Sequence, residues 1–229
     1  MKDLTAAVAA AALSVTLVAC GSDTKSDTKP APSSSTSTSA SASATTAPPT
    51  SATPGAKANY TIADYIRDNH IQETPVHHGD PGSPTINLPV PTGWNLVPEG
   101  SGAPYGGIVY GQPADPNDPP TIVAIVSKLT GDVDPAKIIQ FAPGELKNLP
   151  GYDGPGDGSA STLSGFQAWQ LGGSYNKNGK QRTVAQKTVV ITSPNGLFVL
   201  QLDADALDNE GPTLMDATNI IDDQTTITP

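Results

Sequence analysis

The segment from Gly21 to Ala58 contains no aromatic residue and no Val, Ile, Leu or Met. It consists almost entirely of Ser, Thr, Ala, Pro, Gly, Lys and Asp. Such a segment cannot bury enough apolar surface to offset the conformational entropy lost on folding, so we expect it to be disordered. As a flexible coil it has a root-mean-square span of ~35 Å. The folded part of the protein is therefore expected to begin at Asn59.

An uncharged, mostly apolar segment from Leu4 to Ala19 precedes this tract. A transmembrane helix needs ~20 apolar residues, whereas the apolar part of a secretory signal peptide is shorter. Residues 1–19 are therefore predicted to be a signal peptide, although the single Lys2 beside Asp3 makes a weak basic start.

The leader ends in Leu17-Val18-Ala19-Cys20-Gly21, which resembles the lipobox of bacterial lipoproteins. This resemblance implies that diacylglycerol is transferred to the thiol of Cys20 and that the chain is cut before it. The alternative is an ordinary signal peptide with a chance cysteine, but Cys20 is the only cysteine in the chain. Each buried acyl CH₂ contributes ~0.8 kcal/mol, so two or three chains form a durable anchor.

The sequence thus predicts three parts: a signal peptide over 1–19, a lipidated cysteine with a disordered tether over 20–58, and one globular domain over 59–229. The expected location is the cell membrane, with the domain facing the periplasm or cell envelope. Whether the domain reaches the cell surface, or is shed, stays open.

The formal net charge of the chain is −10, and its twelve basic residues are scattered. Proteins that bind nucleic acid need clustered Lys and Arg to neutralise phosphates, so we exclude that class of partner. The same acidic balance argues against a basic patch that would bind anionic lipid headgroups. Membrane attachment is therefore assigned to the anchor.

Short runs rich in β-formers and bounded by Pro or Gly predict strands in the domain. Thr121 to Leu129 is a longer apolar run, predicted as a strand buried on both faces at the centre of the sheet. The hairpin signals Asn176-Lys177-Asn178-Gly179 and Ser193-Pro194-Asn195-Gly196 predict an antiparallel meander. The predicted strands are Thr85–Leu88, Gly93–Leu96, Gly106–Tyr110, Thr121–Leu129, Phe166–Leu171, Lys180–Thr192 and Leu197–Leu202.

Three helical segments are predicted around these strands. Thr61 is a plausible N-cap for a short helix that packs as a lid, and Pro135 follows Asp134 at the start of a helix that Pro143-Gly144 interrupts. A last helix spans about Pro212 to Asp222 and directs Leu214, Met215, Ala217, Ile220 and Ile221 toward the core. Helices around an antiparallel sheet predict an α+β fold.

No residue pattern indicates a catalytic centre or a cofactor. His70, His77 and His78 lie near Glu73 and Asp80, but their spacing matches no metal-ligand motif, and a solvated loop is favoured. No serine sits in a nucleophile elbow, and Ser159 and Ser164 are attributed to Gly-rich loops. The acidic residues, Asp203 and Asp205 among them, are interpreted as a solvated face.

The aromatic side chains leave two readings open. Most are expected to be core residues, and a ligand groove is the alternative, with its binding residues unknown. The side chains concerned are Trp94, Trp169, Tyr105, Tyr110, Tyr152 and Phe198.

Three segments together carry a resemblance to the LpqN/LpqT lipoprotein family of mycobacteria: Tyr60 to Ile66, Pro104 to Tyr110, and Gly165 to Tyr175. Lys187 to Ile191 and the Leu-x-Ala-Cys leader extend it over the whole chain. The resemblance implies an envelope lipoprotein with a PsbP-like α/β/α sandwich, and it brings no catalytic residues. It further implies an accessory role beside lipid-export or mycolyl-transfer machinery, an analogy because a fold does not fix a function.

The expected function is that of a non-enzymatic adaptor that binds envelope proteins or host proteins. The alternative is a carrier that holds an acyl chain in a groove between the sheet and the helices. The oligomeric state stays open.

The first prediction concerns Cys20. A Cys20→Ala variant is expected to accumulate as the uncut precursor and to carry no lipid, because it has no thiol to acylate. Intact-mass spectrometry of the wild-type protein is expected to show loss of residues 1–19 and the added mass of the lipid. A mature, unlipidated wild-type chain would contradict the anchor.

Overall fold

The structure is a computed structural model, and it describes residues 59–100 and 102–229. The predicted signal peptide, Cys20 and the tether lie outside these residues. The described helices are α1 (Ile62–Asp68), α2 (Pro135–Phe141), α3 (Gly144–Lys147) and α4 (Gly211–Gln224). The strands are β1 (Gln72–Pro75), β2 (Thr85–Asn87), β3 (Trp94–Val97), β4 (Gly107–Tyr110), β5 (Thr121–Thr130), β6 (Ser159–Leu163), β7 (Phe166–Lys177), β8 (Lys180–Ser193), β9 (Gly196–Leu207) and β10 (Thr226–Thr228).

Among these described helices, none is long and apolar enough to cross a membrane.

Seven strands form one antiparallel sheet in the order β3-β4-β5-β9-β8-β7-β6, and β1 joins it as the eighth by pairing with β5. One edge of β5 is shared, because β4 pairs with its first half and β1 with its second half. The expectation that Thr121–Leu129 is the central strand is wrong, since β9 occupies the middle of the order. The expectation of burial on both faces is also wrong over most of the run, because Ile122, Ala124 and Val126 on one face are buried whereas Thr121, Val123 and Ile125 on the other face are only partly buried.

The predicted meander is confirmed: β7, β8 and β9 pair consecutively. Asn178 (φ 54°) and Gly179 (φ 78°) adopt the positive φ that the first hairpin requires, and Gly196 (φ 133°) does so in the second. The strands are longer than predicted, since β7 continues to Lys177 and β9 to Leu207. The additional residues of β9 alternate between acidic and apolar, and those of β7 are mostly glycine and polar residues, so a search for apolar runs misses both.

The helix starts follow the local signals in the sequence. Thr61 and Asp64 form a reciprocal capping box at α1, and the side chain of Asp134 caps α2. The Pro143-Gly144 pair separates α2 from α3 as expected. Glycine is needed at 144 because a Cβ there would lie 2.1 Å from the carbonyl oxygen of Tyr60.

Helices and small strands cover the two faces of the sheet. On one face, α4 and the two-stranded β2–β10 sheet enclose a large apolar cluster that includes Ile86, Leu200 and Leu214. On the other face, α1 and α2 pack over a second cluster that contains Tyr65 and Ile138, and a third cluster carries Leu146 of α3. The predicted α+β fold, an antiparallel sheet flanked by helices in an α/β/α sandwich, is confirmed.

Sequence patterns missed three short elements. Strand β1 and strand β6 contain few apolar residues, and β10 follows α4 after only Thr225. Ser159 therefore starts a strand and does not lie in a loop. Ser164 is in a turn (φ 51°), where its Oγ accepts a hydrogen bond from the backbone N–H of Ile227 and positions β10.

The interpretation of Asp203 and Asp205 as a solvated face is wrong. Both lie on the face of β9 that points away from α4. Asp203 accepts a hydrogen bond from Nε2 of Gln186 (2.8 Å), which also donates to Glu145 of α3 (3.1 Å). Burial, reinforced by the nearby charge of Glu145, raises the pKa of Asp203 to about 6.

Asp205 belongs to a second, partly buried network, centred on Arg182. The Arg182 guanidinium, with 6% of its side chain exposed, contacts Asp205 and both oxygens of Asp118. Tyr175 donates to the other oxygen of Asp205 (2.5 Å). Because Asp118 lies in the loop between β4 and β5, this network ties that loop to β8 and β9.

The second prediction follows from Asp203. Because the pKa of Asp203 is raised in the folded state, ionisation of its carboxylate destabilises the fold. This destabilisation is absent below pH ~4, grows as the pH rises, and is complete above pH ~6. We expect Asp203→Asn, which keeps an acceptor for Gln186, to raise the free energy of unfolding at pH 7 by at most about 3 kcal/mol and to change it little at pH 4. Urea denaturation at both pH values measures this.

The matched control is Asp223→Asn, which removes an exposed carboxylate from the end of α4. A pH-independent change in Asp203→Asn, or an equal change in the control, would contradict the assignment.

Candidate ligand groove

A row of small side chains crosses the sheet beneath α4. Strand pairing places Gly172 beside Ala185, Ala185 beside Ala204, and Ala204 beside Ile122. The row therefore runs over four neighbouring strands, β7, β8, β9 and β5. Because three of its four members have no side-chain atom beyond Cβ, the floor of the sheet is low along this line.

Helix α4 lies over this floor. Leu214, Ala217 and Ile221 form its buried stripe against the sheet, while Met215 and Asn219 face the row. The space between them is a cavity of about 410 Å³, which we call the first cavity. Its size is in the range of small-molecule sites.

Lys187 closes one end of the first cavity. It stands on β8, two residues from Ala185, and only 9% of its side chain is exposed. Its Nζ lies 2.7 Å from Oδ2 of Asp222 on α4 and 3.2 Å from Oγ of Ser161 on β6. This ion pair joins the sheet to the covering helix and places one positive and one negative charge beside an otherwise apolar floor.

A second cavity, of about 530 Å³, lies at the other side of α4 between β2 and the β3–β4 hairpin. Its wall is mainly apolar and includes Leu88, Leu96 and Ile108. His78 and Glu99 stand at its rim, where the backbone N–H of His78 donates to Oε1 of Glu99 (2.7 Å). The two cavities together form the candidate ligand groove.

Exposed apolar side chains mark the entrances to the groove. Met215, which lines the first cavity, is 43% exposed, and Leu96, which lines the second, is 68% exposed. The prediction that Met215 points into the core is therefore wrong, because Leu214 and Ala217 occupy the sheet-facing stripe. Large apolar side chains at a cavity mouth are typical of sites for apolar ligands.

The three histidines do not converge. His77 lies 3.5 Å from Asp80, His78 stacks on Tyr105 with ring centroids 3.8 Å apart, and His70 occupies a turn with φ 53°. Over residues 59–100 and 102–229, no group of three or more His, Cys, Asp or Glu side chains is placed to hold a metal ion.

Three of the six aromatic candidates are buried core residues, and Tyr110 is partly buried against the same cluster. Trp94, Tyr105 and Phe198 are buried in the cluster beneath α4, and Tyr105 also reaches the wall of the second cavity. Trp169 and Tyr152 lie near the opposite face, where Trp169 donates from Nε1 to the carbonyl oxygen of Asp157 (2.7 Å). The aromatic residues thus do not build the groove that their number suggested.

Sequence reasoning left the ligand-binding residues unknown, and the structure shows why. The groove depends on Gly172, Ala185 and Ala204, which are far apart in the chain and meet only through strand register. One local signal was available. Lys187 lies inside the predicted strand Lys180–Thr192, and a lysine that a strand buries needs a partner.

The third prediction concerns the ion pair at the end of the groove. Asp222→Ala would leave the Lys187 ammonium buried with only Ser161 as a neighbour, so we expect a loss of about 2 kcal/mol in the free energy of unfolding. Lys187→Met removes the charge and keeps the length of the side chain, so its cost is expected to be at most about 1 kcal/mol.

Urea denaturation measures both variants and the double variant, which is expected to be more stable than Asp222→Ala alone. Equal costs for the two single variants would show that the pair is not a buried one.

Known proteins resemble this chain over most of its length. The family described as "Probable lipoprotein LpqN" matches residues 58–228. Lipoprotein LpqN of Mycobacterium tuberculosis is 72% identical over 229 residues, which is 100% of both chains. The crystal structure of LpqN, described as involved in cell envelope biogenesis of M. tuberculosis, is 81% identical and superposes with a TM-score of 0.74 over 75% of this chain and 99% of that chain.

A solution structure of cyanobacterial PsbP from Synechocystis is 11% identical, with a TM-score of 0.42 over 69% of this chain and 92% of that chain. The match to the family covers most of the chain, including every element that builds the groove. This chain belongs to the LpqN lipoprotein family.

Proposed function

We propose that this protein is a lipid-anchored carrier of the cell envelope that holds the acyl chain of one amphiphilic lipid beneath α4. The observation that carries the proposal is the row Gly172, Ala185 and Ala204, which leaves open space between two packed layers. Mainly apolar clefts of this size are typical of small-molecule sites. An apolar floor with a few polar groups at one end is what a lipid chain with a polar head requires.

The polar end of the groove supports binding of an amphiphile in preference to a hydrocarbon. Lys187 and Asp222 pair with each other, so they add polarity without a net charge. A head group that donates and accepts hydrogen bonds would find both kinds of partner there. The role needs no chemical step, in keeping with the expectation that the protein is not an enzyme.

The proposed location in the cell envelope rests on membership of the family and on the predicted lipoprotein leader. The M. tuberculosis relative is described as involved in cell envelope biogenesis, and we extend that setting to this chain. A lipid on Cys20 and a tether with a span of ~35 Å would keep the domain close to the outer side of the cell membrane. A carrier held there can receive lipid from the membrane or from export machinery.

An adaptor role is the second candidate, and one observation favours it. Strand β3 is an edge of the sheet, and on it Leu96 is 68% exposed, with Val90 nearby in the chain 45% exposed. An open edge beside exposed apolar side chains can accept a strand of a partner protein. The partners proposed for this surface are envelope proteins of lipid export or mycolyl transfer, or host proteins.

The fourth prediction tests the carrier. Ala185→Leu places additional side-chain atoms on the floor of the first cavity, and we expect it to weaken binding of a fluorescent fatty acid at least tenfold. Ala160→Leu is the matched control, because Ala160 is exposed on β6 outside the groove. Native mass spectrometry after mild detergent extraction is expected to show one lipid per wild-type chain and none on Ala185→Leu.

Thermal unfolding of both variants checks that the fold is retained. Equal binding by Ala185→Leu and by the control would reject the groove as the lipid site. If specific proteins co-purify without any bound lipid, and if Leu96→Lys no longer binds them, the adaptor role would replace the carrier role.

A further inference from the structure

A third cavity, of about 470 Å³, lies on the side of the sheet opposite α4. Its wall is formed by the residues before α1, the end of α2, the short helix α3, the loop before β6 and one side chain of β7. None of the described residues that line it also lines the candidate ligand groove. The third cavity is therefore a separate site.

Three aromatic side chains line the third cavity: Tyr60, Phe141 and Trp169. The rings of Tyr60 and Phe141 meet edge to face, with their centroids 4.7 Å apart, and the hydroxyl of Tyr60 donates to Asp68 (2.9 Å). The indole N–H of Trp169 donates to the backbone carbonyl oxygen of Asp157 (2.7 Å). These contacts fix the orientation of the rings, while Tyr60 is exposed and Trp169 only partly buried. The cavity thus offers preset aromatic faces to a ligand.

The polar side chains of the third cavity carry no net charge. Its wall contains one cation and one anion, Lys147 and Asp157, and the ammonium group of Lys147 donates to the carboxylate of Asp157. The amide side chains of Asn59 and Gln140 add further donors and acceptors. A bound anion would lack an unpaired cation, and an acyl chain would leave these polar groups without partners. A neutral ligand with many hydroxyl groups matches this wall.

We propose that the third cavity binds one unit of a neutral, β-linked hexopyranose chain, that is, of an envelope glycan. In the gluco configuration of such a ring the hydroxyl groups are equatorial, so its two faces present C–H groups alone. One face can stack on an aromatic ring while the hydroxyl groups at the rim of the sugar reach amide and charged side chains.

The cavity is open enough for an internal unit of a chain. Tyr60 and Asp157 at its edge are exposed, so the glycan can continue into solvent beyond the bound unit. The inference goes beyond the proposed carrier function and does not depend on it. A glycan held on this side would attach the domain to the envelope and leave the candidate ligand groove accessible on the other side of the sheet.

The test is titration of the mature chain, extracted in lauryldimethylamine oxide because that detergent contains no sugar, with cellohexaose and with chitohexaose. The chain has two tryptophans, so Trp94→Phe leaves Trp169 as the only one and Trp169→Phe leaves only the buried Trp94. We expect a saturable change in fluorescence, with protection from acrylamide quenching, in Trp94→Phe and no change in Trp169→Phe.

Calorimetry measures the affinities. Loss of the stacked ring in Trp169→Ala is expected to weaken binding at least about tenfold. Trp94→Phe is the matched control, because Trp94 lies in the core on the other side of the sheet, and it is expected to bind like the wild type. If Trp169→Ala fails to fold, Tyr60→Ala, which removes an exposed ring, takes its place and is expected to weaken binding in the same direction.

The two sugars distinguish two sources of the glycan. Binding of both supports a site that recognises the shared ring, whereas binding of chitohexaose alone supports an N-acetylated strand and of cellohexaose alone a strand without acetamido groups. No saturable response to either sugar, or an affinity unchanged in the aromatic variants, would overturn the proposal. Fatty-acid binding is measured separately, so failure of the carrier function and failure of the glycan site are distinguishable.

Discussion

The register of the four long strands β5, β9, β8 and β7 is the constraint on which the rest of the structure depends. Because side chains alternate along a strand, a shift of one residue would exchange the two faces of the sheet. The register places Val126, Leu200 and Val189 in one fully buried row. Two rows further along it places Ala204 beside Ala185, where the packing opens. A tight core and the candidate ligand groove thus follow from one alignment.

The two faces of this sheet serve different purposes. Toward α1 and α2 the sheet is covered by packed side chains such as Ile138, which is fully buried. The polar groups on that face, Asp203 with Gln186 and Asp205 with Arg182, satisfy one another and hold α3 and a loop in place. On the other face, α4 leaves a cleft above the row of small residues. The Lys187–Asp222 ion pair joins the helix to the sheet at one end of this cleft. A helix held in this way can cover a ligand without filling its space.

Local signals in the sequence were reliable where the chemistry is local. Thr61 caps α1 because its hydroxyl reaches an amide three residues on, and Gly179 turns a hairpin because it tolerates positive φ. The same signals failed where the outcome depends on distant partners. Asp203 is expected to be solvated because the acidic residues of the chain fall mostly in loops and turns, but α3, which lies far away in sequence, covers it. Met215 has an apolar side chain, but its neighbours on α4 took the core-facing positions.

The sequence by itself determined the division into leader, tether and domain as a prediction, together with an α+β fold that the structure confirms. Composition and short-range turn chemistry suffice for these, since each depends on residues close in the chain. Only the tertiary structure decided that β9 is central, that Lys187 pairs with Asp222, and that small residues from three strands align. These features depend on pairing between distant segments, and register is set by the packing of whole faces, which no local pattern contains.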